Sequence, residues 1–108
     1  MHKEISNIYA QPGIHWLPVS GDAMRPTLMP GDYVAVNVED KAIGQGGIFA
    51  LLDKQTGETL IKRLTQLPSS NSAMIQLIND NPKQPVDEVF RGSIDVLGRV
   101  VGRMTRRV

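Results

Sequence analysis

The chain has 108 residues, 41% apolar and 21% charged, with 12 basic and 11 acidic side chains, which suits one globular domain with a single modest core. The absence of cysteine excludes disulfides, thiolate catalysis and cysteine-bound metal, and the near balance of charge leaves no global field to attract nucleic acid. His2 and His15 have no clustered ligand partners, so no metal site is expected, and no apolar run approaches the ~20 residues that cross a bilayer.

Residues 1–13 are polar and end in the turn signal Gln11-Pro12-Gly13; they read as a lead-in or linker remnant to a domain over 14–108. They lack the pattern of a signal peptide, so a cytoplasmic location with no membrane contact is expected. Residues 14–19 alternate Ile14, Trp16 and Pro18 with His15, Leu17 and Val19, a short strand. Residues 32–38 form the next, with Val34, Val36 and Val38 on one face. A glycine-bearing loop over 39–47 leads to residues 48–52, continuously apolar as in a strand buried on both faces.

Lys54-Gln55-Thr56-Gly57 reads as a hairpin turn, returning through a partner strand over 58–64. A loop over 67–72 precedes a strand over 73–78. Residues 79–85, with two prolines and two asparagines, read as irregular, and 86–90 as a short edge strand. The segment 94–104 is the last strand. Gly98 and Gly102 inside it mark bulges or bends where a sheet coils or a barrel closes. Apolar residues nowhere recur at helical spacing, so the fold class is all-β, a barrel or coiled sheet.

Two stretches carry chemistry. The first is Ser20-Gly21-Asp22-Ala23-Met24-Arg25-Pro26-Thr27-Leu28, followed by Pro30-Gly31-Asp32. Its glycines and prolines dictate a tight turn, and Met24 offers an apolar anchor. Such a loop is either a site held by a rigid scaffold or a plain turn between strands. The second is Thr59-Leu60-Ile61-Lys62-Arg63-Leu64. Alternation puts Lys62 on one face with Leu60 and Leu64. If its amine is buried there, its pKa falls and it can act as a general base; otherwise its stem covers the leucines and its head stays in water.

Together the two stretches resemble the self-cleaving repressors related to LexA, which include the C-terminal domains of lambdoid phage repressors and UmuD. The carrying pieces are S-G-D-A-M-R-P-T-L, P-G-D-Y-V-A-V, I-K-R-L and V-L-G-R-V-V-G, so the likeness spans residues 16–103. It implies a LexA- or signal-peptidase-like coiled sheet or partly open barrel, no cofactor, and a serine–lysine dyad. In that family a serine immediately precedes the methionine of the turn, and the lysine of the K-R-L strand is its base; these positions are Ala23 and Lys62 here. Ser20, Gly21, Asp22, Met24 and Pro26 fall in the supporting turn and oxyanion region. Alanine has no proton to lose and no lone pair to attack with, so the chain as written is expected to be inactive.

Ala23 is either a deliberate change that keeps a self-cleaving protein intact or the residue of a natural, non-cleaving repressor that retains the domain for assembly. A chain that opens on Met1 without the family's helix-turn-helix domain reads as an excised fragment. The resemblance also implies a homodimer, operator DNA reached through that absent domain, and an activated RecA filament as a further partner. A soluble fragment of a type I signal peptidase is the remaining alternative, since it shares the S-x-M-x-P-T-L and K-R patterns. The family's cleavage site, a small residue followed by glycine, has no clear match in residues 1–19, where Pro12-Gly13 is the nearest pair. The five arginines from Arg91 onward form either a contact for an acidic partner or a solvated terminus.

Overall fold

The computed structural model describes residues 12–67 and 73–105. Most of the lead-in, part of the loop over 67–72, and Arg106 and Arg107 lie outside the described residues. The strands are β1 (Ile14–Pro18), β2 (Tyr33–Asn37), β3 (Gly47–Asp53), β4 (Thr59–Gln66), β5 (Met74–Ile78), β6 (Asp87–Phe90) and β7 (Ile94–Met104), with one 3-10 turn at Arg91–Ser93. They form a single open sheet in the order β1-β2-β7-β3-β4-β5-β6. Every pairing is antiparallel. The expected all-β class holds, as a coiled sheet rather than a closed barrel.

The centre of the sheet is β7. Its first half pairs with β3, from Ile94 opposite Asp53 to Arg99 opposite Phe49. Its second half pairs with β2, from Arg99 opposite Asn37 to Met104 opposite Tyr33. The register slips once on each side: Val96 and Gly98 face consecutive residues of β3, and Val100 and Gly102 face consecutive residues of β2. Leu97 and Val101 are thus extra residues, and bulges of this kind bend a strand and sharpen its twist. Gly98 sits where β7 passes from one partner to the other, against the Asn37 carbonyl.

The sheet supports two cores on opposite faces. One gathers Phe49, Leu51, Leu64, Ile75, Leu77, Ile94 and Val96. The other gathers Val19, Met24, Leu28, Val34, Val36 and Ala50. The continuous apolar run of β3 feeds both, with Phe49 and Leu51 facing one way and Ala50 the other, all fully buried. Each large aliphatic or aromatic side chain so buried contributes about 1.5–3 kcal/mol. At the far edge, β6 presents exposed Asp87 and Glu88, charges that discourage edge-to-edge pairing.

Two of the C-terminal arginines make contacts within the fold, Arg103 while its side chain stays half exposed. Arg99 donates to Asp40 Oδ2 (2.8 Å), the Gly46 carbonyl (2.9 Å) and the Ala42 carbonyl (2.8 Å), and its guanidinium lies 4.5 Å from the Phe49 ring centroid. It fastens the 39–47 loop, where Gly47 takes a φ of +128° and leaves the guanidinium room that a Cβ would fill. Gly47 therefore serves a specific local conformation. Arg103 donates to the Thr27 carbonyl (2.9 Å) and lies 3.7 Å from the buried Asp32 carboxylate.

Candidate active site

The turn over 20–32 is held at both ends. Val19 donates to the Asp32 carbonyl (2.8 Å) and Gly31 to the Val19 carbonyl (3.1 Å), closing the base of the loop. Asp32, only 2% exposed, accepts from the Met29 amide at 2.9 Å. Inside the loop, Leu28 donates to the Met24 carbonyl at 2.9 Å, one helix-like turn. Met24 and Leu28 point into the core, 2% and 3% exposed, so Met24 is the anchor its position suggested. Ser20, Gly21, Asp22 and Pro26 are exposed. Gly21 takes a φ of +71°, and the Arg25–Pro26 peptide is cis. Ala23 is half-buried.

On β4, alternation acts as expected. Leu64 lies in one core and Leu60 packs against it, while Ile61 belongs to the other side. Lys62 is half-buried. Burial holds its amine below the ordinary lysine range, while the carboxylates of Asp87 and Glu58 pull the other way. The sense of that balance leaves a larger neutral fraction than an exposed lysine has, which a general base requires.

Ala23 and Lys62 meet in one cavity of about 240 Å³, lined also by Pro18, Ser20, Met24 and the run Glu58, Thr59, Leu60 and Ile61. Four consecutive strand residues, 59–62, cannot line a cavity that faces one side of a sheet, because successive side chains point opposite ways. The cavity therefore runs along the edge of β4. The pairing explains why that edge is open: β5 begins its register at Arg63 and covers only residues 63–66, whereas β3 pairs with 59–64 on the other side. Over 59–62 the outer backbone groups of β4 have no neighbouring strand among the described residues.

Three residues that sequence reasoning left as irregular close the site. Asn79 Oδ1 accepts from Lys62 Nζ at 2.5 Å. Asp80 accepts from Arg63 Nε (2.9 Å) and NH2 (2.8 Å), and from the Thr27 hydroxyl. The Arg63 guanidinium holds the Asp80 carboxyl below the usual carboxylate range, with Thr27 adding to the effect. Asn81, itself buried, donates its backbone amide to the Ala23 carbonyl (2.9 Å) and its side-chain amide to the Asp22 carbonyl (3.0 Å). One short segment after β5 thus fastens the lysine strand and the turn to each other. The cluster Asn79-Asp80-Asn81-Pro82 announces side-chain-to-backbone bonding in general, but nothing in it names partners that lie 17 to 59 positions away.

Among the described residues no group of three or more His, Asp or Glu side chains is placed to hold a metal ion, and no helix is long and apolar enough to cross a membrane. A sequence model of the family described as Peptidase S24-like matches residues 3–101.

Proposed function

The chain belongs to the Peptidase S24-like family, and from that premise we propose that it is the dimerisation and self-cleavage domain of a transcriptional repressor whose nucleophile position carries alanine. The observation that supports this reading is the shared cavity: the turn residue Ala23 and the half-buried Lys62 line it together, along a stretch of strand edge that no described strand pairs. That edge offers backbone donors and acceptors to an extended peptide, the pairing mode by which a strand is added to a sheet. A peptide laid along residues 59–62 passes both side chains.

With serine at position 23 the chemistry is complete. Neutral Lys62 Nζ takes the Oγ proton as the oxygen attacks the scissile carbonyl carbon, and the carbonyl π electrons move to oxygen. Collapse of that tetrahedral adduct breaks the C–N bond, and the proton on Nζ passes to the departing amine. Water, deprotonated by the same lysine, then adds to the acyl carbon; collapse breaks the ester C–O bond, and the departing serine Oγ takes the proton back from Nζ. Alanine stops the sequence at its first step and leaves binding, turn geometry and assembly unaffected.

The test is incubation of Ala23→Ser and of Ala23→Ser with Lys62→Ala at pH 7 to 10, with a supplied peptide bearing a small-residue–glycine pair. Fragments are followed by mass spectrometry. Cleavage by the first protein, faster at higher pH, and none by the second is the expected result. If the folded Ala23→Ser protein cleaves neither itself nor the peptide, position 23 is not a silenced nucleophile. Ala23 itself favours a second reading, a natural repressor module that assembles without cleaving, and that outcome selects it. Both readings carry a homodimer and operator DNA bound through a helix-turn-helix domain outside this chain. An activated RecA filament as trigger belongs to the first alone.

A further inference from the structure

Among the described residues the amine of Lys62 has one fixed hydrogen-bond partner, and it is neutral. Asn79 Oδ1 accepts from Nζ, while Asn79 Nδ2 donates to the Pro85 carbonyl at 3.0 Å. The two contacts agree with each other. A carbonyl only accepts, so the amide nitrogen must face Pro85, which turns the amide oxygen toward the lysine. The side chain is thereby fixed in direction from its far side.

We propose that Asn79 is a positioning residue for Lys62: it accepts one hydrogen bond from the amine, fixes the nitrogen at the cavity that Ala23 lines, and does so without a charge that would keep the amine protonated. The inference rests on the reading of Lys62 as the general base. An amide oxygen accepts from an ammonium and from a neutral amine alike, so the contact survives the loss of the proton that catalysis needs. A carboxylate at this place would favour the charged form and oppose deprotonation. The charged groups that already bear on the amine are the carboxylates of Glu58, at the head of β4, and Asp87, on β6. Both favour the charged form, so a third carboxylate, in direct contact, would add to them. The carboxylate of the next residue, Asp80, is turned away and spent on Arg63 and Thr27.

Two variants of nearly the same shape separate position from charge. Asn79→Asp adds the charge; Asn79→Leu removes the acceptor. The first readout needs no cleavage: the Lys62 amine is titrated by NMR, through its Cε and Nζ resonances, in the chain with Ala23 in place. Asn79→Asp is expected to raise the titration midpoint by at least about one pH unit. A midpoint unmoved by Asn79→Asp, in a protein that melts normally, overturns the proposal. The second readout uses Ala23→Ser with the supplied peptide. Asn79→Leu is expected to lower kcat about tenfold or more with KM little changed, and Asn79→Asp to move the rising limb of the pH profile upward by the amount seen in the titration. A kcat unchanged in Asn79→Leu also overturns it. If Ala23→Ser cleaves nothing at all, the peptidase reading fails by itself, and the titration still decides whether Asn79 governs the amine.

Discussion

Replacing Gly98 with alanine tests the central crossing of the sheet. The added Cβ would lie 2.8 Å from both the Asn37 carbonyl carbon and Val36 Cγ1, and nearer still to the Asn37 oxygen, where ordinary contact begins at 3.4 Å. Two of the three obstacles are backbone, so β2 and β7 must part by more than about 0.6 Å in a close-packed region. Overpacking of this kind costs about 1–3 kcal/mol. Restricting the unfolded chain by a Gly-to-Ala change offsets about 0.4–1 kcal/mol of that. The net loss is about 1–2 kcal/mol, a fall in Tm of about 4–9 °C for a domain of this size. Scanning calorimetry measures it, with Gly92→Ala as the control, because a Cβ at Gly92 meets nothing within 4 Å. A Gly98→Ala protein that melts within about 2 °C of the parent would refute the argument that β2 and β7 are locked at this crossing.

Lys62→Met should melt at the same temperature as the parent or higher at pH 7. The folded amine's pKa lies below its unfolded value, so a desolvation cost is present in full below the folded pKa and is relieved as the pH rises toward 10.5. The advantage of methionine should shrink over that rise, and a clearly lower Tm for Lys62→Met at pH 7 would make Lys62 a structural cation. Asp80→Asn should lose about 1–2 kcal/mol in urea unfolding at pH 7, discounted for the partial exposure of Arg63. Because the folded Asp80 carboxyl titrates below 3.8, the loss is present above that value and fades as the pH falls through the folded pKa; an equal deficit in strong acid would contradict this. Sedimentation at high micromolar concentration should give a dimer, weakened by Val101→Lys with Met104→Lys, since both side chains are about half exposed on β7. A monomer throughout would remove the assembly reading.

The strands were legible because their causes are local. Alternation in β2 and β4, the unbroken apolar run of β3, and the turn at Lys54–Gly57 each leave a period or a breaker in the sequence. The segment expected over 94–104 is β7 itself, Ile94–Met104. Its glycines do accompany a bend, since Gly98 adjoins one bulge and Gly102 the other. What did not show is where β7 goes. It is the middle of the sheet: β3 takes one backbone edge along its first half and β2 takes the other along its second. Among its side chains, Val101 and Met104 are about half exposed. Lys62 could be placed on the face of Leu60 and Leu64 by alternation alone, but its reach to Asn79 could not, since a single hydrogen bond between distant segments leaves no period. The same holds for Arg99, which composition presents as part of a basic tail and the fold uses as a loop fastener.

The central place of β7 also sets when the protein can fold. Six strands precede it in the chain, yet its Val96 belongs to one core and its Val100 packs against the other. β2 waits some sixty residues for its neighbour, and β3 about forty-five. On the ribosome, both half-sheets remain open on the side facing β7 until that strand has cleared the exit tunnel. Folding is therefore a single late event rather than a progressive one, dominated by long loop closures and correspondingly slow. Until then the turn at position 23 has only one of its two walls, because Met24 packs in the core that Val34 and Val36 complete with β7. A chain built in this order cannot assemble its cleft on a half-made polypeptide.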